Sequence, residues 1–547
     1  MSRPQDRAAR AQMEDLYPLS PMQRGMLFHA LYEASSPVYF EQVSYQLRGQ
    51  LNLTAFERAW QQVVDRHPVL RTSFHYKGLD EPLQMVRRKA KLPLIQEDWT
   101  ELTAARQEER LKAFLIEDRA RGFQLDKAPL LRLALFRLSA DTHQFVWSHH
   151  HLLLDGWSVS LVIKEVLALY DALCRDEDVR QDRSRPYRDY IAWLGKQDLA
   201  AAEEFWRKTL EGFSAPTPFG VDTSGSNVSE PAFDHRRRQT QLSESATQAL
   251  TAFAREHSLT PNTIVQAAWA SLLSRYSGEE DVVFGSTVSG RPSALSGVES
   301  MIGLFINAVP VRVTTHREQS VRALLGELQK QQQQAREYEY TPLSQIQKWS
   351  DVPAGSPLFE SLLIFENYPL DQGVGQPSGL EITAAGSFEL TNYPLSVMVV
   401  PGRQLSLRID YDSRRFDETT IDRMLGHFKR LLEGMVRDPE QRVCELTTLS
   451  ESEQRQQVVE WNDTRADYPQ GECLHQLFDA QVERTPDAVA VVFEAEELTY
   501  RELNARANQL ARHLRDVGVG PEVLVGVCMW RRTPCICRHC RRLTPSR

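Results

Sequence analysis

Three histidines are followed by a carboxylate and a glycine in His149-His150-His151-Leu152-Leu153-Leu154-Asp155-Gly156-Trp157-Ser158. An imidazole suits proton transfer near neutral pH, because its ordinary pKa is about 6.5. An aspartate placed shortly after it can steady the ring or the corner that carries it. Successive side chains of an extended segment alternate in direction, so at most one or two of the histidines point into any one cavity. A covalent serine route is disfavoured, since the chain has no Gly-x-Ser-x-Gly elbow.

Two elements must hold this corner. The alternating run His143 to Ser148 predicts a strand with Phe145 and Trp147 on one face, beside a second strand from Leu131 to Leu138. Behind the motif, Leu161, Val162, Val166, Leu169, Tyr170 and Leu173 recur at helical spacing, which predicts a helix from Ser158 to Leu173. The motif then sits on a strand–loop–helix corner, where Gly156 is expected to permit a sharp turn.

The chain has 547 residues, more than one core usually serves, and its 41% hydrophobic and 25% charged content is that of a globular protein. A net charge of −9 argues against nucleic-acid binding. No apolar run is long enough to span a bilayer, and the first residues lack a signal-peptide apolar region. The cysteines number seven, with only Cys174 and Cys444 before residue 470, so a disulfide framework is not expected and a reducing, cytoplasmic home is.

Along the chain, Ser20-Pro21 starts a predicted helix burying Met22, Met26 and Leu27. Thr54-Ala55-Phe56-Glu57 reads as a capping box for a helix with Phe56, Trp60, Val63 and Val64 on its apolar face. Arg71 is either a solvated charge or half of a buried pair. Residues 211–231, rich in Gly, Pro and Ser, give a linker signal. Thr260-Pro261 is an N-cap with proline at the first helical position, and Ile264, Ala268 and Leu272 share a face. Residues 281–292 read as a strand entering a glycine turn without the Gly-Lys-Ser/Thr of a phosphate cradle. Leu362 to Glu366 and Leu405 to Tyr411 read as strands, and Ile421 to Met435 as a closing helix.

His150-His151-x3-Asp155-Gly156-Trp157-Ser158 resembles the core motif of condensation domains from nonribosomal peptide synthetases, relatives of chloramphenicol acetyltransferase. Six further stretches resemble the family's other motifs in order: Tyr17 to His29, Arg66 to Phe74, Tyr187 to Trp193, Ile302 to Arg312, Tyr338 to Leu343 and Ser356 to Glu360. The wording of the first, and the departures in the last two, resemble the subtype that takes a D-configured donor. Trp461-Asn462-Asp463-Thr464 resembles the connector into an adenylation domain, and residues 474–529 resemble the start of one, including Leu498 to Leu503 and a helix from Asn504 to Val517.

The resemblance implies an α/β fold of two chloramphenicol-acetyltransferase-like lobes in a V-shaped pseudo-dimer, plus a partial adenylation segment. The implied ranges are a lead and docking segment at 1–14, an N-lobe at 15–210, a C-lobe at 211–448, a linker at 449–473, a truncated adenylation start at 474–529 and an aberrant tail at 530–547. It further implies peptide-bond formation between a donor thioester and the α-amine of an acceptor, both tethered to carrier proteins. The implied catalytic residues are His151, His150, Asp155 and Gly156, with Arg291, Arg71, Trp157, Ser158 and Asn392 in support. Arg291 and Arg71 compete as the partner of Asp155. No cofactor is expected to bind directly; the phosphopantetheine arms of upstream and downstream carriers are substrates. An upstream synthetase is a further expected partner, docking at 1–14, whereas nucleic acid, a membrane and a metal are not expected. Cys535, Cys537, His539 and Cys540 lie closer together than the separated pairs of zinc sites, and ATP-dependent activation is not expected because the nucleotide loop of adenylating enzymes is missing. The rival readings are an epimerisation domain of the same fold, which would need a second acid/base, and a silent platform that docks carriers.

Overall fold

The computed structural model describes residues 12–32, 37–177, 184–222, 235–366, 379–467, 471–493 and 496–526. Most of the 1–14 lead, part of the 211–231 linker signal and all of the 530–547 tail with its cysteines lie outside the described residues. The chain divides into two compact units, Met1–Ser452 and Glu453–Arg547.

The first half of the larger unit contributes β1 (Met13–Pro18), β2 (Phe40–Arg48), β3 (Thr72–His75), β4 (Leu83–Arg87), β5 (Leu94–Asp98), β6 (Leu131–Arg137) and β7 (Thr142–His150). The second half adds β8 (His235–Gln241), β9 (Asp281–Val288), β10 (Asn307–Thr314), β11 (Ser361–Phe365), β12 (Glu381–Phe388), β13 (Leu395–Val400) and β14 (Ser406–Asp412). A five-stranded sheet runs β12-β2-β7-β6-β5, a six-stranded sheet β10-β9-β11-β13-β14-β8, and a small one β1-β4-β3.

Strand β7 is central and buried along nearly its whole length, as its aromatic and β-branched content favours. Helices Leu53–Arg66 and Gly156–Cys174 cover one face of its sheet, and Trp60 meets Trp147 edge-on at 5.0 Å. The first of these helices is capped by Asn52, whose side chain accepts from Ala55 N, and not by a box at Thr54. A free asparagine carbonyl just before the first turn satisfies the orphan N–H, leaving Thr54 inside the helix. Arg71 is buried and pairs with Glu14 at 2.6 Å, with further donors spent on the carbonyls of Val64, Asp65 and Arg87.

In the second sheet β11 pairs in parallel with β9 and β13. Its near-continuous apolar run, Ser361-Leu362-Leu363-Ile364-Phe365, is what burial on both faces demands. Helix Pro261–Ser277, capped by Thr260, and helix Glu418–Arg437 pack on one face, with Trp269 and Phe428 rings 5.6 Å apart. On the other face Trp206 and Leu210 pack with Val283, Ile346, Leu362 and Met398. Helix Leu199–Thr209 therefore belongs by packing to the second core, and the change of core precedes the 210/211 border expected from composition.

Strand β12 comes from the second half but joins the edge of the first sheet, pairing antiparallel with β2 from Glu381↔Arg48 to Phe388↔Gln42. Its Glu-Ile-Thr-Ala-Ala-Gly-Ser-Phe sequence has no apolar alternation and stays largely exposed. The smaller unit holds helix Leu474–Arg484, a hairpin of Val489–Phe493 with Glu496–Thr499, and helix Tyr500–Asp516. That last helix starts earlier than Asn504 because Thr499 and Glu502 form a reciprocal capping box. Among the described residues, no helix is long and apolar enough to cross a membrane.

Candidate functional site

Strand alternation decides which histidine faces what. His149 and His151 line a cavity of about 1660 Å³ together with Val43 and Tyr45 of the first sheet, Leu362 and Ile364 of the second, and Tyr39, Gly156, Asn392 and Tyr393 from the segments between. His150 points the other way, edge-on to Phe123 and opposite Phe40, so it is corrected from a catalytic to a packing position. Burial pushes its pKa down to about 3, with His151 adding to the shift, and its unprotonated Nδ1 accepts from Leu152 N at 3.1 Å. His149 is also held neutral, its pKa driven well below the ordinary value by burial first and by its two neighbours second.

His151 is half-buried and fixed from several sides. Its Nδ1 lies 2.7 Å from Leu154 O. A carbonyl only accepts, so Nδ1 carries a proton, and in the neutral ring Nε2 is the nitrogen with a free lone pair. The His151 N–H donates to Tyr39 O at 2.9 Å, and the Tyr39 ring stands edge-on to the imidazole at 6.5 Å. Tyr39 has φ of 64°, a left-handed backbone that non-glycine residues rarely adopt. Its hydroxyl donates to Asn392 Oδ1 at 2.9 Å, which places Asn392 behind the tyrosine and on the cavity wall.

Asp155 is buried beneath this corner and is the N-cap of helix Gly156–Cys174. Its Oδ1 accepts from Ser158 N at 2.8 Å and from Arg291 Nη2 at 3.4 Å, and its Oδ2 accepts from Phe305 N at 2.9 Å. Arg291 is the arginine at Asp155; Arg71, committed to Glu14, is not. Arg291 also donates to Ser158 Oγ, Val298 O and Met301 O, and its guanidinium lies 4.0 Å from the centre of the Phe305 ring. Burial lowers the Arg291 pKa, with Asp155 opposing the shift. Ser158 Oγ accepts from Gly303 N and donates to Gly303 O, and Trp157 Nε1 donates to Glu299 O. Asp155, Trp157 and Ser158 thus tie the first half to the loop 299–305 of the second. A Cβ at Gly303 would meet Tyr187 Cδ2 at 2.2 Å, so the loop needs glycine there for its close approach. Gly156, in contrast, is not among the residues with positive φ; it opens the helix and lines the cavity.

The condensation domain family matches residues 13–458. The chain belongs to that family. An AMP-binding enzyme family matches residues 478–537, past Met529, where the adenylation-like resemblance was expected to end. The condensation domain and its following segment are 46% identical over 519 residues to one of the linear gramicidin synthase proteins of Brevibacillus parabrevis, covering 95% of this chain and 10% of that protein. They are 37% identical over 531 residues to bacitracin synthase 3 of Bacillus licheniformis, covering 96% and 8%. The chain therefore spans about a tenth of the length of the curated relatives it matches. Among solved structures, a four-domain nonribosomal peptide synthetase bound to AMP and glycine aligns over 93% of this chain and 39% of its own, with 17% identity and a TM-score of 0.70. The starter condensation domain of rhizomide synthetase, in complex with C8-CoA and Leu-SNAC, aligns over 82% and 100%, with 21% identity and a TM-score of 0.68. These likenesses show the two-lobed α/β fold of condensation domains.

The condensation domain also places groups at His151 that the sequence reading passed over. Glu41 of β2 and Glu389, just beyond β12, bring one donor atom each within 4.8 Å of one another and of a His151 ring nitrogen. Arg408 lies 3.5 Å from Glu389 and brings a positive charge to the group. A signal for Glu41 exists in the sequence: it shares a strand face with Val43, Tyr45 and Leu47, where a carboxylate is out of place. For Glu389, and for Tyr39 as the clamp on His151, no comparable signal exists.

Proposed function

We propose that this condensation domain forms a peptide bond between a donor aminoacyl or peptidyl thioester and the α-amine of an acceptor aminoacyl thioester, each carried on the phosphopantetheine arm of a carrier protein. The observation that carries the reading is the His151 ring: Nδ1 is spent on Leu154 O, and the remaining nitrogen is the base of a half-buried side chain on the cavity wall. A thioester is already activated, so the site has to align amine and carbonyl, take a proton from nitrogen and tolerate charge on oxygen. His151 Nε2 accepts the proton of the attacking amine and returns it to the departing sulfur. Asp155 acts as an architectural group, holding the helix start and the Arg291 loop in place beneath the ring. The N-terminal end of helix Gly156–Cys174, with the Gly156 N–H, is the candidate for meeting negative charge on the thioester oxygen. A cavity of about 1660 Å³ exceeds the roughly 300–1,000 Å³ of a single small-ligand site and suits two tethered reactants. The subtype wording of the first, sixth and seventh motifs supports a D-configured donor.

The test offers D- and L-aminoacyl donors on one carrier and an aminoacyl acceptor on another, with His151→Ala as control. Peptide from the D donor, lost in the variant, is the expected result. Exchange of the donor α-proton without peptide would favour epimerisation. Carrier binding without turnover would favour a docking platform.

A further inference from the structure

The register of the first sheet sets two carboxyls face to face at His151. Glu41 pairs with His149 across β2 and β7, and Phe388 pairs with Gln42 across β12 and β2, so the next step puts Glu389 opposite Glu41. Like charges directly opposite on adjacent strands destabilise a sheet. Around them lie Glu366, Asp410, Arg408, Arg237 and the neutral His149. Arg408 reaches Glu389 at 3.5 Å and Asp410 at 3.0 Å, and Arg237 reaches Asp410 at 2.6 Å. Two guanidiniums face four carboxyls, so the cluster carries an excess of negative charge when its carboxyls are ionised, which favours a nearby cation and strengthens the buried carboxyl as a proton acceptor. Burial, then Glu389, pushes the Glu41 carboxyl well above the usual range and raises Glu366 to about 7. Glu41 Oε1 is sealed from solvent and has no hydrogen-bond partner among the described residues.

Proton accounting gives such a pair a task. An α-ammonium that becomes an amide loses two protons, and the leaving thiolate consumes only one. His151 Nε2 carries one proton from nitrogen to sulfur, so the other needs a second acceptor. We propose that the Glu41–Glu389 pair is that acceptor, receiving the α-ammonium of the acceptor substrate and taking its first proton. One N–H bond breaks and one O–H bond forms on a carboxyl; the freed amine then attacks the thioester carbon. As the C–S bond breaks, the second nitrogen proton passes through His151 to the sulfur, and the pair returns its proton to solvent. This inference rests on the peptide-forming reading above.

The experiment measures kcat/KM for a carrier-bound aminoacyl acceptor from pH 6.5 to 9.5 with wild type, Glu41→Gln and Glu389→Gln, and checks each fold by circular dichroism. An α-ammonium with a pKa near 8 leaves about a tenth of the acceptor as free amine at pH 7. Glu41→Gln should therefore lose about tenfold at pH 7 and rejoin the wild type near pH 9, where the amine arrives already deprotonated. Glu389→Gln should give the same convergence. A uniform loss at every pH, or none, overturns the proposal. Absence of peptide from the wild type at any pH would overturn the underlying reading, and the proposal with it.

Discussion

Replacing Asp155 by asparagine preserves shape and removes what the buried corner needs. The two carboxylate oxygens accept from Ser158 N, Phe305 N and Arg291 Nη2. An asparagine turns one oxygen into an NH2 group, and either rotamer sets that group against a donor: Phe305 N–H on one side, Ser158 N–H and the guanidinium on the other. A buried donor left without an acceptor costs about 1–3 kcal/mol. Removing one partner of a buried ion pair costs about 3–5 kcal/mol. Arg291 retains Ser158 Oγ and the carbonyls of Val298 and Met301, so the total should lie near the low end, about 3 kcal/mol. Urea unfolding of the full chain, followed by tryptophan fluorescence, measures it for Asp155→Asn, Arg291→Met and the double variant. Each single variant should lose about 3 kcal/mol, and the double variant should fall short of the sum by at least about 1 kcal/mol, because it leaves no lone buried ion. Peptide transfer should drop in all three although His151 is intact, since the loop 299–305 is no longer held at the corner. An Asp155→Asn midpoint equal to the wild type, or strict additivity, would refute the reasoning.

His151→Ala should cut single-turnover peptide transfer by about 10²–10⁴-fold with the unfolding midpoint nearly unchanged, whereas His150→Ala should destabilise the fold by about 2 kcal/mol in urea unfolding and spare transfer per folded molecule. Acid should weaken the fold through the buried histidines: the unfolded chain takes a proton at His150 near 6.5 and the folded one only near 3, so this contribution is whole above 6.5 and lost as pH falls towards 3. A pH series of unfolding midpoints should therefore be flatter below 6.5 for His150→Phe. Glu366 carries the opposite sign, its raised pKa giving stability below 4.5 that is lost as pH rises through about 7, so Glu366→Gln should be the more stable protein at pH 8. Gly303→Ala should destabilise by about 1–3 kcal/mol in the same assay, because its Cβ would overlap the Tyr187 ring.

The histidine corner was legible because its parts are local. Alternation over 143–148 and helical spacing over 158–173 locate the ring and the carboxylate on consecutive elements, and β7 and helix Gly156–Cys174 fall within two residues of those expectations. The same alternation separates His150 from its neighbours, once the direction of β7 is known. The partner of Asp155 needed more than periodicity, since Arg71 and Arg291 both stand near the end of a strand. The choice rests on tertiary placement: Arg71 is drawn to Glu14 in the first half, while the turn after β9 carries Arg291 across to the helix start.

The carboxyl pair lay beyond sequence reading for a different reason. β12 lacks alternation because it is a largely exposed edge strand with only Ile382 and Phe388 packed against the core, so it shows no apolar stripe of the kind that marks a strand over a core. Its register against β2 is set by pairing between residues more than three hundred positions apart, as Phe388↔Gln42 shows. A side chain's local sequence can report that it sits badly on its own element, as Glu41 does beside Val43 and Tyr45. It cannot report what the fold will set across from it. If the Glu41–Glu389 juxtaposition alters the pH dependence as argued, the strand lent by the second half supplies part of the proton chemistry as well as closing the first sheet's edge.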